Sequence, residues 1–423
     1  MRTTCAALAV IGVLLLGVVS AGAFDLTLED SPDVPPYFVA VSKDTQTFLA
    51  FGHHSPLTLL TKLTCTTGQE MGDKVKEGDL KTPEGVYFIE HKLAKGLDYD
   101  VYGGLAFTLD YPNPIDRLKG KTGRGIWVHG RGHPINPRET QGCVALNIGD
   151  LHRLEASLEP GTPVVIATDV RVSDTPGEFS REAKELVDRV HKWAEAWSNR
   201  DDAFFSFYDQ KDYTEPGAPT FKAFRDNKER IFAAKPWIDV ACFDLHALRG
   251  PDYWVTWFGQ YYRTDSTTFQ GEKRLYWQKD SKGRWVIVGV EYAPAAKDYE
   301  ALYLQQSTRD VGKMLDAWRR SWEHADLKSY ARWYVPSAVQ DGRQGLLAIM
   351  DQKKELWEKN APKKVAISGV KVSLDRGGLK VVFRQDYQSA SGYSDSGYKT
   401  LVVQPSAIGW RIVSETWSAK EPS

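Results

Sequence analysis

Cysteine, excess charge and long apolar runs are all scarce in this sequence. The 423 residues include four cysteines, 54 basic and 55 acidic residues, and the formal net charge is −1. A balanced charge without a basic stripe argues against a nucleic-acid-binding surface, which depends on clustered lysine and arginine. Beyond residue 23, no run is long and apolar enough to span a bilayer, which takes about 20 residues. The composition therefore predicts a globular protein with no nucleic-acid partner.

The first 23 residues have the pattern of an export signal. Arg2 supplies a positive charge, an apolar run extends from Cys5 to Val19, and Ala21-Gly22-Ala23 offers a small-residue cleavage site before Phe24. The run is shorter than a membrane span, although an uncleaved anchor is the alternative. We expect a signal peptide at 1–23, no stable membrane span after its cleavage, and an exported protein of the periplasm or cell envelope.

Three cysteines remain after such a cleavage, and this odd number predicts at least one free thiol. Cys65 and Cys242 lie in apolar runs, so we expect both to be small buried hydrophobic residues. Cys143 differs because it follows a glycine and comes 14 residues after His129. Cys143 is therefore the candidate reactive thiol.

Residues 24–172 are predicted to form one mainly-β domain. Short apolar runs separated by turns are typical of a sandwich or barrel, and a helical pattern follows at 150–158. The polar stretch 169–180 contains a Pro-Gly pair and is predicted to be a domain boundary. The candidate strands are Tyr37–Val41, Thr47–Phe51, Thr58–Cys65, Val86–His91, Ala106–Asp110, Gly125–His129, Cys143–Leu146 and Val164–Thr168.

The remainder of the chain repeats itself with a constant offset of 125 residues. A period of this length indicates duplicated domains, which we place at 181–296 and 305–420. Each copy opens with a helix carrying two tryptophans and continues into long strands, an order typical of an α+β layer. This pattern resembles the NTF2-like fold, a curved sheet around helices with a cone-shaped cavity. Matching pairs include Trp193 and Trp318, Trp197 and Trp322, Asp201 and Asp326, Phe258 and Phe383, Gln260 and Gln385, Tyr262 and Tyr387, and Trp285 and Trp410.

The tryptophans and aspartates that open each copy are predicted to be structural. Tryptophans four apart on one helix face usually point into the core, so we expect Trp193 and Trp197 to be buried with their counterparts. Asp201 is expected to cap or turn the chain. The cavities of the two copies could hold a small ligand or a protein partner, and the sequence leaves this open.

A histidine and a cysteine carry the clearest chemistry in the sequence. His129-Gly130 ends one apolar run, and Gly142-Cys143 opens the next. Two neighbouring strands joined by a loop could bring the imidazole to the thiol, which is the minimum for a cysteine nucleophile with a general base. His129 and His133 would suit zinc only on a helix. The glycines and proline between and after them break any helix, so we expect no metal.

These residues, together with the stretch from Gly72 to Tyr87, resemble the L,D-transpeptidase (YkuD-type) family over roughly residues 35–170. The resemblance implies a peptidoglycan stem peptide as substrate, Cys143 as nucleophile, His129 as base and no cofactor. It also implies that the backbone carbonyl of Gly130 orients the histidine. Backbone N–H groups at Gly142 and Cys143 would form the oxyanion hole.

Two positions depart from the family pattern. Gln141 stands where a second histidine is common, and Ala145 stands where the family has an arginine associated with substrate. Arg131, His133 and Arg138, in or next to the intervening loop, are the candidates to bind the stem carboxylate instead, with Gln141 beside them. The sequence is nearer to the subfamily that joins this domain to an NTF2-like domain. Characterised members of that subfamily trim tetrapeptides to tripeptides and affect cell shape.

Two functions remain open at this stage. The acyl group on Cys143 could pass to an amine, which gives a 3→3 cross-link, or to water, which makes the enzyme an L,D-carboxypeptidase. Alternatively, the catalytic domain is inactive, and the protein binds the cell wall or a ligand through its NTF2-like domains. The departures from the family pattern at Gln141 and Ala145 are the reason for this alternative.

Overall fold

The computed structural model describes residues 23–27, 31–53, 56–173, 179–213, 215 and 217–422. Apart from Ala23, the expected signal peptide lies outside these residues. Within the described ranges, no helix is both long enough and apolar enough to cross a membrane. A mainly-β N-terminal unit is followed by two α+β units, as the sequence predicts.

The N-terminal unit is a closed eight-stranded barrel, and its strand order is β2-β3-β4-β8-β7-β6-β5-β9. Strands β1 and β10 pair in parallel outside the barrel. The elements in chain order are β1 (Ala23–Thr27), β2 (Tyr37–Ser42), β3 (Thr47–His53), β4 (Leu57–Thr66), β5 (Gly85–Leu93), α1 (Tyr99–Tyr102), β6 (Ala106–Leu109), α2 (Pro114–Leu118), β7 (Trp127–Arg131), β8 (Val144–Asn147), α3 (Ile148–Leu154), β9 (Pro163–Ala167) and β10 (Asp169–Ser173).

The polar stretch expected to be a boundary is in part a strand. Residues 169–173 form β10, which pairs with β1, and the following helix begins at Phe179. The side chains of β10 are partly or fully exposed, so its pattern alone does not distinguish it from a loop. Pairing with β1 provides the backbone hydrogen bonds that hold it extended.

The first repeat consists of two helices, a 3-10 helix and four antiparallel strands in the order β11-β12-β13-β14. Its elements are α4 (Phe179–Asn199), the 3-10 helix Asp202–Phe207, α5 (Phe221–Ala234), β11 (Ile238–Arg249), β12 (Trp254–Thr264), β13 (Thr268–Lys279) and β14 (Trp285–Ala293).

The second repeat has the same plan and adds two short strands, which gives a six-stranded sheet in the order β16-β15-β20-β19-β18-β17. Its elements are α6 (Tyr299–Glu323), α7 (Leu327–Ala331), β15 (Tyr334–Gln340), β16 (Arg343–Gln344), α8 (Leu346–Lys359), β17 (Pro362–Asp375), β18 (Gly378–Ser389), β19 (Ser394–Ser406) and β20 (Gly409–Ser418).

The residues that open each repeat are structural, as expected. Trp193 and Trp318 are fully buried. Their indole N–H groups donate to tyrosine hydroxyls at 2.9 and 3.1 Å, respectively. Asp201 caps the 3-10 helix by accepting from the Ala203 amide, and Asp326 caps α7 in the same way. The constant offset therefore reflects two copies of one core.

The barrel and the first repeat share a hydrophobic core. On β2, Val39 and Val41 point into the barrel, whereas Phe38 and Ala40 point outward into the core of the first repeat. Side chains alternate between the two faces of a strand. Because both faces of β2 are covered, its sequence is a continuous apolar run.

Polar contacts also hold the barrel and the first repeat in one relative position. The Tyr253 hydroxyl accepts from the Val86 amide at 2.7 Å and from Asn113 Nδ2 at 2.8 Å. Arg274 is buried, its Nη1 donates to Asp110 Oδ2 at 2.7 Å, and its guanidinium lies 3.7 Å from the Phe88 ring centre. The barrel and the first repeat therefore form one packed unit.

We predict that Arg274→Met loosens this interface. The substitution removes the cation from the buried Asp110, whose pKa burial already raises to about 8, and from the partly buried Glu272, which lies 3.0 Å from Arg274 Nε. Loss of one partner from a buried ion pair costs up to about 3–5 kcal/mol. The midpoint of thermal unfolding should fall clearly. The matched control is Arg284→Met, because Arg284 pairs with Asp280 on the surface of the same repeat, where an ion pair contributes about 0–1 kcal/mol. Equal midpoints for the two variants would show that the buried pair does not stabilise the interface.

Candidate active site

Parallel pairing of β7 and β8 places His129 and Cys143 on one side of the sheet. The register aligns Val128 with Val144 and His129 with Ala145. Val128 and Val144 belong to the barrel core, so His129 and Ala145 point away from it. Cys143 comes two residues before Ala145 and shares its side of the sheet.

His129 is buried, at 3% exposure, and its orientation is defined by its own neighbour. Its Nδ1 lies 2.7 Å from the carbonyl oxygen of Gly130. A carbonyl can only accept, so Nδ1 carries the proton and Nε2 has a free lone pair. Burial lowers the pKa of His129 to about 4, so the ring is neutral at neutral pH. The arrangement can supply a neutral imidazole as proton acceptor.

Close packing around Gly130 leaves no room for a side chain. A Cβ at Gly130 would lie 2.6 Å from Ile148 Cδ1, and a Cβ at Gly103 would lie 2.9 Å from the Arg131 amide nitrogen. Gly103 ends α1 with φ 61°, a left-handed conformation that favours glycine. Helix α1 therefore lies directly against β7, and the Tyr102 ring contacts the His129 ring at 5.1 Å, edge to face.

Cys143 is a half-buried free thiol just before β8. Its Sγ lies 3.6 Å from the carbonyl oxygen of Gly125. Burial raises the pKa of Cys143, while a main-chain hydrogen bond at Trp127 and the positive charges of Arg131 and Lys74 act in the opposite direction. Burial is the largest of these effects, so on balance the surroundings raise the pKa of the thiol.

The other two cysteines are packed, as expected from the sequence. Cys65 is buried in the barrel core, and Cys242 is partly buried against the core of the first repeat. Burial raises the pKa of each thiol to about 12. Neither therefore resembles a reactive cysteine.

Gly142 adopts a backbone conformation that a side chain would strain. Its φ is 130°, and a Cβ there would lie 2.8 Å from the Lys81 carbonyl oxygen. Its amide donates to Thr140 Oγ1 at 3.2 Å, and the same hydroxyl donates to the Cys143 carbonyl at 2.7 Å. The turn before Cys143 is thus held by a threonine that our sequence analysis did not single out.

Of the residues expected to bind substrate, Arg131 is the one that the structure brings to the pair. It lies two residues after His129 on β7 and so shares its side of the strand. Its positive charge adds to the effect of burial in lowering the pKa of His129, and it partly offsets the larger effect of burial, which raises the pKa of Cys143. Its Nη2 donates to the Glu139 carbonyl at 3.4 Å, which holds the side chain against the loop.

The other three expected residues lie elsewhere. His133 is exposed, and its Nδ1 lies 2.9 Å from the Pro134 carbonyl. Arg138 is directed to the turn between β2 and β3, where its Nη2 lies 3.8 Å from Asp44 Oδ1. Gln141 is exposed beside Gly142. None of the three has a recorded contact with His129 or Cys143 among the described residues.

The segment from Gly72 to Tyr87 supplies a buried cation near the thiol. Lys74 is buried, and its Nζ pairs with Asp79 at 2.8 Å. Its charge partly offsets the larger effect of burial, which raises the pKa of Cys143. The resemblance of this segment to the family did not by itself predict a role for Lys74. The motif Gly72-Asp73-Lys74 was the one feature of the sequence that could have indicated a role for this lysine.

Family models match most of the chain. The model of the L,D-transpeptidase catalytic domain (YkuD) matches residues 36–166. The model of the Cds6 C-terminal NTF2-like domain matches twice, at residues 185–291 and 310–416. These matches fall on the barrel and on the two repeats.

Solved structures of two bacterial proteins are similar to this chain. Bd1075 of Bdellovibrio bacteriovorus is 26% identical, with a TM-score of 0.53, over 64% of this chain and 98% of its own. The helical cell shape determining protein Pgp2 of Campylobacter jejuni is 29% identical, with a TM-score of 0.52, over 61% of this chain and 92% of its own. Both neighbours leave more than a third of this chain without a counterpart. No curated protein matches the chain.

The barrel bearing His129 and Cys143, the two NTF2-like matches and the likeness to Pgp2 agree with one another. The chain belongs to the peptidoglycan L,D-transpeptidase/carboxypeptidase family, with a YkuD catalytic domain followed by two Cds6 C-terminal NTF2-like domains.

Proposed function

We propose that the protein cleaves the L,D bond of peptidoglycan tetrapeptide stems through an acyl-enzyme on Cys143. The supporting observation is the placement of Cys143 on the His129 side of the sheet, with the Gly130 carbonyl holding the imidazole proton on Nδ1. A nucleophile, a base and a group that orients the base are the three roles such a site needs.

The reaction begins from a neutral thiol and a neutral imidazole. His129 Nε2 takes the thiol proton as Sγ attacks the carbonyl of the third stem residue. The bond to D-alanine then breaks, D-alanine leaves with the proton from the imidazolium, and a thioester remains on Cys143. Water or an amine then attacks the thioester, loses a proton to His129 and releases the thiol. The base must be neutral to begin this cycle, and the lowered pKa of His129 meets that need.

The oxyanion of the tetrahedral intermediate needs backbone N–H donors. We propose the Cys143 amide as the main donor, because the Gly142 amide already donates to Thr140 Oγ1. Gly142 contributes through its conformation, since its positive φ sets the direction of the following amide. The Gly142 amide joins the hole only if substrate displaces the threonine.

Arg131 is our candidate for binding the terminal carboxylate of the stem. The family arginine is replaced by Ala145, whose register partner is His129. Arg131 lies two residues further along the same strand, and a guanidinium matches a carboxylate in two parallel hydrogen bonds. His133, Arg138 and Gln141 would then contribute through loop rearrangement rather than in their present positions.

We favour water over an amine as the acyl acceptor. The support is the combination of the YkuD domain with NTF2-like domains, an architecture that resembles the subfamily of tetrapeptide-trimming enzymes. The solved neighbour Pgp2 is a cell shape determining protein, and a trimmed stem, which lacks the D-alanine leaving group, can no longer be the acyl donor of an L,D cross-link. We propose the same role in the cell envelope for this protein.

We further propose export with cleavage before Phe24, and domains at 24–172, 181–296 and 305–420. The family-model matches fall inside these ranges. Phe24 and Leu26 are buried, and the Phe24 ring contacts Phe179 at 6.5 Å. A chain beginning at Phe24 would therefore keep its first residues in the fold.

The first prediction of this proposal concerns the pair itself. Cys143→Ala should remove activity, and His129→Ala should lower it by at least about a thousandfold, because members of one catalytic unit fail together. The assay is incubation with purified tetrapeptide muropeptides followed by mass spectrometry. Tripeptides identify the carboxypeptidase and cross-linked dimers identify the transpeptidase.

If the wild-type protein leaves the muropeptides unchanged, the result would favour the alternative function, that of a binding protein without catalytic activity. A carbapenem should add one covalent mass to the wild type and none to Cys143→Ala. Full activity in the Cys143→Ala variant would refute the mechanism.

A second prediction concerns the turn before the nucleophile. Gly142→Ala places a Cβ 2.8 Å from the Lys81 carbonyl oxygen in a conformation that disfavours side chains. Strain of about 1–3 kcal/mol should displace the Cys143 amide and lower kcat by about tenfold or more. Gly149→Ala is the matched control, since a Cβ there meets nothing within 4 Å. Equal kcat values for the two variants would show that the conformation of Gly142 has no role in catalysis.

A third prediction concerns the protonation state of the thiol. Because burial raises the pKa of Cys143, its thiolate fraction, and with it the rate of alkylation by iodoacetamide, should rise about tenfold per pH unit between roughly pH 6 and 8. Cys143→Ala isolates the slow reaction of Cys65 and Cys242. A rate that is already constant below neutral pH would instead indicate a thiolate–imidazolium ion pair.

A further inference from the structure

Arg131 is a partly buried cation with an unused hydrogen-bond donor. A guanidinium carries five N–H groups. Within the described ranges, Nη2 of Arg131 donates to the Glu139 carbonyl oxygen at 3.4 Å, whereas its Nε is buried and has no hydrogen-bond partner. A buried N–H group without an acceptor is costly. This side chain is therefore suited to an acceptor that a ligand brings to it.

The side chain of Glu139 faces this cation without satisfying it. Its Oε1 lies 4.0 Å from Arg131 Nε, close enough for an ion pair and too far for a hydrogen bond. Oε1 is buried as well, and it has no hydrogen-bond partner among the described residues. In that part of the chain, Glu139 carries the one carboxylate within 4.0 Å of the Arg131 guanidinium. The two opposite charges thus compensate each other while both retain an unused hydrogen-bonding atom.

The backbone of Glu139 is anchored, whereas its carboxylate is also held by a surface residue. The Glu139 amide donates to Thr66 Oγ1 at 3.0 Å, and the next residue, Thr140, holds the turn that follows. The second carboxylate oxygen, Oε2, accepts from Nδ2 of the exposed Asn136 at 3.2 Å. Rotation of the Glu139 side chain toward Asn136 would therefore release Arg131 and leave the turn in place.

The charge of Arg131 reaches the reacting groups, so a group that pairs with Arg131 lies beside them. In addition to the larger effect of burial, this charge affects the pKa of both His129 and Cys143. A ligand carboxylate at Arg131 would also meet the carboxylate of Glu139. Because like charges repel, Glu139 weakens the binding of an anion at Arg131. In the empty site, the same carboxylate avoids the cost of a partly buried guanidinium without a counterion.

We propose that Glu139 is a positioning residue that acts through Arg131 and sets the charge specificity of the stem site. It compensates Arg131 in the empty site, and the terminal carboxylate of the stem displaces it toward Asn136. The site then binds a terminal carboxylate less tightly than Arg131 alone would allow, and it distinguishes less sharply between a carboxylate and a neutral amide. This inference rests on the proposed role of Arg131 in stem binding, and it does not require Cys143 to be catalytic.

Isothermal titration calorimetry of the full chain carrying Cys143→Ala tests this proposal. The two ligands are a tetrapeptide stem that ends in D-alanine and the same peptide that ends in D-alanine amide. The further substitution Glu139→Gln keeps the shape of the side chain and removes its charge. It should tighten the binding of the acid by about three- to tenfold, the range for a partly screened like charge, and leave the binding of the amide unchanged. A purely structural role of Glu139 would change both affinities alike.

Two control variants in the same background bracket this result. Arg131→Met removes the cation, so it should weaken the binding of the acid by about tenfold or more and abolish the preference for the acid over the amide. Glu155→Gln is the matched control for loss of a negative charge, because Glu155 pairs with Lys92 on the surface of the barrel. It should leave both affinities unchanged.

Four results would overturn the proposal: no binding of either peptide, a Glu139→Gln variant that does not tighten the binding of the acid, an equal change for acid and amide, or a preference for the acid that survives in Arg131→Met. If the wild-type protein cleaves muropeptides and one of these results is found, the role of Glu139 is refuted and the proposed function stands. The expected binding pattern in a protein that does not cleave muropeptides would support the role of Glu139 and refute the catalytic proposal.

Discussion

The hydrogen bond between His129 Nδ1 and the Gly130 carbonyl is the contact on which the site depends. It sets the tautomer of a buried ring without any acidic partner. A carboxylate beside the imidazole would stabilise its charged form and raise its pKa. A carbonyl orients the ring with a smaller effect on its charge, and burial then keeps the base neutral. The geometry requires two adjacent residues of one strand and a glycine that admits close packing.

The surroundings of this pair are closely packed, because neighbouring elements cover part of the barrel at β7 and at β2. Helix α1 lies against β7 on one side, and the core of the first repeat covers β2 on another. Arg274 and Tyr253 add charged and polar contacts that disfavour sliding between the two units. The first repeat is therefore part of the scaffold of the catalytic domain as well as a unit with its own cavity.

Duplication produced two copies with one core and two different interiors. The tryptophan–tyrosine hydrogen bonds and helix caps are retained in both. The charges of the two copies have diverged, because Val290 and Phe269 in the first copy correspond to Glu415 and Asp395 in the second. A core position tolerates little change, since packing at close to crystal density penalises altered volume. The exception is Glu415, which is fully buried where the first copy has the core residue Val290, and which Lys399 stabilises through an ion pair.

Periodicity and motif spacing were enough to predict the mainly-β domain, the duplication, and the buried tryptophans. These features arise from local alternation and from identity between distant segments, both of which are visible along the chain. The motif also indicated Cys143 and His129, whose roles remain a proposal.

The positions of Arg131 and Arg138 were not predictable, since two arginines near one loop look alike in sequence. Alternation along β7 puts the first on the same side of the strand as His129, and an ion pair with Asp44 holds the second away from the site. The pairing of β10 with β1, the influence of Lys74 on Cys143 and the buried ion pair of Lys399 and Glu415 likewise come from residues far apart in the chain. Burial and charge at a site are sums over spatial neighbours, and a linear pattern does not contain them until the chain is folded.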